Sequence, residues 1–290
     1  MALISLVKMV HISDLHLTAE DGAARSEPNI WNALRGMNQN FRVLMESVAK
    51  SDPAAIVVTG DVTDRGEQRA WEIFWEAIRG HGLQDRTWVI PGNHDVCVLG
   101  LRRRPKSEDL ARARAGLSRG NQPIAFPWVR KISHDMTLFG IDSTNGGNRT
   151  GLTNAVGGLG SDQLIRLGKL LRGHEADKCK LIMLHHSPNI PGKETARRRG
   201  EKPASFFERA TMSLDERDRL CLRILARVFG VKAILHGHTH DSPDRRVNGV
   251  RIIGCQASTE PLNKHLYYRS YTLSSKTSRF NTALNRVMVL

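Results

Sequence analysis

A chain of 290 residues, 40% of them hydrophobic, has enough apolar material for one substantial core, and it carries a net charge of +14. It contains no run of about 18 or more apolar residues, so no membrane-spanning helix is expected. Cys97, Cys179, Cys221 and Cys255 lie too far apart for a zinc knuckle or a disulfide framework, and a reducing cytoplasm is the expected compartment. The charge favours anionic partners, but Lys and Arg are spread along the whole chain, as on any solvated basic surface.

Strand and helix signals alternate. Leu6 to Ile12 is an apolar, β-branched run that leads into polar residues, so the N-terminal stretch reads as a strand and not a signal peptide. Leu34, Met37, Phe41, Leu44 and Val48 recur at helical spacing, stopped by Asp52-Pro53. Ala55 to Thr59 predicts a buried strand. Trp71, Phe74, Trp75 and Ile78 predict a helix ended by Gly80, and Thr87 to Ile90 a third strand. Residues 101 to 120 are Arg-rich and partly helical in pattern, with Val129 to Ser133 and Thr137 to Ile141 as a pair of strands after them. Ser161-Asp162 opens a helix carrying Leu164, Leu167, Leu170 and Leu171, and Lys180 to Leu184 is the next strand. Pro191 to Ala210, with Arg197, Arg198 and Arg199, is expected to be a mobile loop. Ser213 with Glu216 reads as a capping box for a helix reaching Phe229, then Ala233 to Leu235 as a strand. Asn248-Gly249 suits a type I′ hairpin turn, and Leu266 to Leu273 and Arg286 to Leu290 offer further strands. No repeat or domain boundary stands out. Residues 1 to 290 read as one domain, with a core over about 6–255 and C-terminal strands over 256–290.

The polar residues just after the strands form a pattern. Five strand ends run into Asp14-Leu15-His16, Gly60-Asp61, Gly92-Asn93-His94-Asp95, His185-His186 and His236-Gly237-His238-Thr239-His240. Open α/β sheets build their sites at the carboxyl ends of strands. Asp14 and His16, like His238 and His240, are two residues apart and share a face if the chain is extended. Imidazole and carboxylate suit Mn, Fe, Zn or Ni, and the donors are too many for one ion. Two ions about 3.5–4 Å apart, sharing a bridging carboxylate, are a standard device for in-line attack on phosphorus. Gly60, Gly92 and Gly237 stand where packed ligands leave little room for a Cβ.

Together with the run Gly60-Asp61-Val62-Thr63-Asp64-Arg65-Gly66, these blocks resemble, in order from Val10 to His240, the signature blocks of the calcineurin-like metallophosphoesterases. The resemblance implies an α/β fold, a four-layer α/β/β/α sandwich with two facing mixed β-sheets. It implies two divalent metal ions (Mn²⁺, Fe²⁺/Fe³⁺ or Zn²⁺), the first held by Asp14, His16, Asp61 and His240. The second would be held by Asp61, Asn93, His185 and His238, with Asp61 as the bridge. His94 would contact the phosphate and protonate the leaving group, with Asn93 beside it; Arg65 would touch phosphate or pair structurally with Asp64. His186 is expected behind the ligands, and His11, His81, His134, His174 and His265 at the surface or in the core.

His11-Ile12-Ser13-Asp14-Leu15-His16, Asp142-Ser143 and Leu184-His185-His186-Ser187-Pro188 resemble the class III cyclic-nucleotide phosphodiesterase branch. Phosphoprotein phosphatases usually carry Glu where Asp95 stands, and UDP-diacylglucosamine hydrolases Arg where His94 stands. The expected function is hydrolysis of an anionic phosphodiester, a cyclic nucleotide or similar small diester, by a metal-bridging hydroxide. A nuclease is the alternative, motivated by the charge and by the Arg102-Arg103-Arg104 and Arg197-Arg198-Arg199 clusters. A phosphomonoesterase and a non-catalytic metal-binding protein are further alternatives. A homodimer is compatible with the family resemblance.

Overall fold

The computed structural model describes residues 6–26, 34–96, 106–144, 155–191, 193–198, 203–205, 214–274, 277 and 279–289. One sheet has five strands in the order β11-β10-β1-β2-β3: β1 (Leu6–Ile12), β2 (Ala55–Val58), β3 (Thr87–Val89), β10 (His265–Ser274) and β11 (Phe280–Met288). The other has six in the order β4-β5-β6-β7-β9-β8: β4 (Trp128–Ser133), β5 (Met136–Gly140), β6 (Cys179–Met183), β7 (Ala233–His236), β8 (Asp244–Val247) and β9 (Val250–Gly254). Both sheets are mixed. β1, β2 and β3 run parallel with β10 antiparallel to β1, and β5, β6, β7 and β9 run parallel between antiparallel edges.

Period-two alternation builds the layers. Met9, Ala55 and Val57 face the second sheet, while Val10, Ile12, Ile56 and Val58 face helices α1 (Met37–Lys50) and α2 (Gln68–Gly80). Phe41, Leu44, Met45 and Val48 from α1 and Trp71, Phe74, Trp75 and Ile78 from α2 are fully buried there. Each contributes about 1.5–3 kcal/mol by leaving water. Two short helices follow in the chain, α3 (Asn93–Val96) and α4 (Ser107–Ser118). Helices α5 (Ser161–Gly173) and α7 (Glu216–Val228) cover the second sheet through Leu164, Leu167, Leu171, Leu222 and Ala226. The result is the expected helix–sheet–sheet–helix sandwich. Among the described residues no helix is long and apolar enough to cross a membrane.

Three local expectations are corrected. Helix α6 (Lys193–Arg198) occupies part of the segment expected to be a mobile loop; Arg199 and Arg102 to Arg104 lie outside the described residues. The cap of α7 is Asp215, whose carboxylate accepts from the Arg217 and Asp218 amides, and the helix ends at Val228. Ser213 lies outside the described residues. The Asn-Gly hairpin forms as expected, with Val247 paired to Val250 and positive φ at Asn248 (49°) and Gly249 (84°).

Candidate metal centre

The five polar blocks converge at the carboxyl ends of β1, β2, β3, β6 and β7. Parallel pairing of β1 with β2 continues into their loops, where the Asp14 amide donates to Gly60 O (3.1 Å) and the His16 amide to Asp61 O (2.9 Å). Extended chain is not what brings the ligands together, contrary to expectation. Asp14, His16, Asp61, His238 and His240 all sit in the left-handed region, at φ 53°, 47°, 49°, 66° and 48°. Non-glycine residues seldom occupy it, and such strain concentrates at functional sites. The turn after β7 thereby sends His238 and His240 to different places.

Two clusters result. In the first, His16 Nε2 lies 3.3 Å from His240 Nε2, and His240 Nε2 lies 3.6 Å from Asp14 Oδ1. In the second, His185 Nε2 lies 3.0 Å from Asn93 Oδ1 and 3.1 Å from His238 Nδ1. Asp61 stands between them. Its Oδ2 is 3.9 Å from His16 Nε2 and 3.3 Å from His185 Nε2, while its Oδ1 accepts from the His94 amide (2.8 Å). Asp14, His16, Asp61 and His185 are at most 1% exposed.

The donor chemistry fits divalent cations. Carbonyl and carboxylate oxygens accept only, so His185 Nδ1 donates to Thr59 O (2.7 Å), His238 Nε2 to Ala155 O (3.0 Å) and His240 Nδ1 to Glu260 Oε1 (3.1 Å). The other nitrogen of each ring then faces the clusters, and offers a lone pair there when the ring is neutral. Ring nitrogens 3.1–3.3 Å apart repel unless a proton or a cation lies between them, and a divalent ion can take that place. Burial keeps His16 and His238 neutral by pushing their pKa well down. For His185, burial also opposes protonation, but the Asp61 carboxylate outweighs it and lifts the pKa to about 9. Asp61 is held well below the ordinary range because His185 and His94 overcome its own burial.

The glycines behave as expected. A Cβ on Gly92 would overlap the Asp61 carboxylate, one on Gly60 would come within 2.7 Å of Gly92 N and His185 Nδ1, and one on Gly237 would strike Ser13 and Asp14. His94 stands beside the first cluster, in a group with His16 and Asp61. Its Nδ1 donates to Asp64 O (2.9 Å). Arg65 is half-exposed, with Nε 3.5 Å from Asp64 Oδ2. His186 bonds Ser143 Oγ through Nδ1 (2.8 Å) and lies against His185 and His238. Of the unassigned histidines, His11 is fully buried and His134 is at the surface.

Three residues near the site escaped the sequence reading. Asp95 is buried and accepts from the Gly92, Val62 and Thr63 amides and the Thr63 hydroxyl, tying the β3 loop to the β2 loop. Burial and the nearby Asp61 raise its pKa to about 6. Its place beside Asn93-His94 was the only signal of this role. Arg25 and Glu260 reach the first cluster from segments with no recognisable motif.

A family model for calcineurin-like phosphoesterases matches residues 7–242. A probable glycerophosphodiester phosphodiesterase, GpdQ, of Arcobacter nitrofigilis is 28% identical over 62% of this chain, a match spanning only 57% of that relative. A probable cyclic nucleotide phosphodiesterase of Vesicomyosocius okutanii is 22% identical over 91% of this chain and 93% of its own length. A dimetal phosphatase from Danio rerio shares the fold at a TM-score of 0.66 and 13% identity, over 97% of this chain and 98% of that one.

Proposed function

This chain belongs to the calcineurin-like phosphoesterase family, and we propose that it hydrolyses a small phosphodiester, with a cyclic nucleotide as the first substrate to test. The observation that carries this reading is the pair of buried clusters sharing one Asp61 oxygen, with His94 beside them. Asp14, His16, Asp61 and His240 would hold one divalent ion, and Asp61, Asn93, His185 and His238 the other. When bound, such ions supply charge neutralisation at the phosphoryl group and a nucleophile from water at neutral pH. The oxygen- and nitrogen-donor set suits Mn²⁺, Fe²⁺/Fe³⁺ or Zn²⁺.

The chain's own residues do the rest. Thr59 O, Ala155 O and Glu260 fix the ring tautomers, so that His185, His238 and His240 each offer the cluster-facing nitrogen. With His94 Nδ1 bonded to Asp64 O, a proton carried on Nε2 would meet the phosphate and pass to the departing oxygen as the P–O bond breaks. The names of the two relatives support a diester over a monoester. Arg197 and Arg198 are exposed on α6, and salt-dependent binding to DNA or RNA would mark the nuclease alternative.

The test is a turnover screen with Mn²⁺ after exhaustive chelation, using a nitrophenyl phosphomonoester, a nitrophenyl diester, cyclic nucleotides, glycerophosphodiesters and nucleic acid. We expect no turnover without metal, two ions per chain on reconstitution, and preference for small diesters. Undiminished hydrolysis by metal-free protein would overturn the two-ion reading. Preference for the monoester or for nucleic acid would overturn the substrate. His94→Ala should keep both ions and lose about 10²–10⁴-fold on a cyclic nucleotide, and much less on the nitrophenyl diester, whose leaving group needs no proton. Equal losses would reject the proton transfer alone.

A further inference from the structure

Arg25 lies between β1 and α1 and is 3% exposed. Its guanidinium reaches the first cluster: Nη2 donates to His16 Nε2 (3.2 Å), and Nε lies 4.0 Å from Asp64 Oδ1. Nη1 donates to Glu260, which also accepts from His240 Nδ1. His16 Nε2 is the same nitrogen that faces His240 and Asp61. One lone pair cannot serve both a guanidinium and an ion. If His16 held an ion, its Nε2 would no longer accept from Nη2, while the Glu260 contact would keep the guanidinium beside the cluster. Nη2 would then exchange the ring nitrogen for an oxygen bound at the same buried site.

We propose that Arg25 is a further catalytic residue, whose guanidinium holds a phosphoryl oxygen of the substrate beside the first cluster. This rests on the phosphoesterase reading. The chemistry suits the role. Arginine stays charged at any working pH and presents a planar fork of donors that matches phosphoryl oxygens, with little freedom left to lose once Glu260 holds one arm. Arg65, half-exposed and paired with Asp64, has no such aim into the cluster.

Inorganic phosphate is the probe. Its binding to Mn²⁺-reconstituted protein is measured by calorimetry and as competitive inhibition of diester hydrolysis, with metal content determined in parallel. Arg25→Ala should keep two ions, bind manganese at the first cluster at least as tightly as before, and bind phosphate about 10- to 100-fold more weakly, the range of a hydrogen bond to a charged group. Arg25→Lys, which keeps the charge and most of the packing, should lose less. Unchanged phosphate affinity in Arg25→Ala with both ions bound would overturn the role. Loss of ions from both variants would overturn it too, by making Arg25 a support of the ligands. If wild-type protein neither binds two ions nor hydrolyses any ester, the underlying reading has failed, not the placement of Arg25.

Discussion

The β8–β9 hairpin and the turns that carry the clusters use the same backbone conformation for different reasons. At Asn248 and Gly249 the left-handed dihedrals are the cheap solution for a tight turn between antiparallel strands, and the residue types favour it locally. At Asp14, His16, Asp61, His238 and His240 nothing local favours them as strongly. The conformation is imposed by neighbours: Gly60 O and Asp61 O accept from the β1 loop, and the Asp14 carboxylate accepts from the His238 amide at 3.0 Å. A turn held by its own residue types can be altered alone. One held by other segments transmits any change to every ligand.

The widest gap between the two regions should come from placing the same methyl group in each. Gly92→Ala drives a Cβ into Asp61, the residue shared by both clusters. A displacement near 1 Å costs on the order of 10²-fold in rate, so turnover should fall by about that much or more, with ion content reduced at both clusters by elemental analysis. Retained ions and normal turnover would mean the β2 and β3 loops yield more easily than their packing implies. Asp95→Asn should come next. It removes one acceptor oxygen from a group that serves three amides and a hydroxyl, at about 1–3 kcal/mol for each buried donor left unpaired. Urea unfolding should show the loss, and ion affinity should weaken with it.

Gly249→Ala meets no atom within 4 Å, so its only penalty is the positive φ, about 1 kcal/mol. Melting temperature should fall slightly while ion binding and turnover stay as they were; a change in either would tie the hairpin to the centre. The smallest effect belongs to Asp244 on the same hairpin. The bidentate hydrogen bond from Arg251 holds its carboxyl below the usual range. A lowered carboxylate pKa stabilises the fold above the ordinary value and loses that contribution as pH falls through the lowered one. Asp244→Asn should therefore cost up to about 1 kcal/mol at neutral pH, discounted for the partial exposure of the pair. The deficit should begin to shrink below about pH 4 and vanish once pH falls below the lowered pKa.

The same contrast shows what could be read from the sequence. Side-chain identity and order were enough for the strand ends, because Asp14, His16, Asp61, Asn93, His94, His185, His238 and His240 carry their chemistry in their own functional groups. Helix faces were legible for a similar reason: Phe41 and Leu44, or Trp71 and Trp75, announce burial through spacing alone. The illegible part depends on partners distant in sequence. Thr59 and Ala155 act through carbonyls that any residue would supply. Glu260 is 20 residues beyond His240, and Arg25 meets it only because the fold closes. Left-handed dihedrals at aspartate and histidine have no counterpart in residue type as Asn-Gly has.

Strand β10 pairs along nearly the whole of β1, from Leu6 opposite Ser274 to His11 opposite Arg269. It also supplies the Tyr271 hydroxyl that meets His11 Nδ1 at 2.9 Å. During synthesis the ribosome therefore releases every ligand of both clusters, His240 being the last, before the strand that completes the sheet beneath Asp14 and His16. Over that interval β1 has a bare edge, open to pairing with another nascent chain.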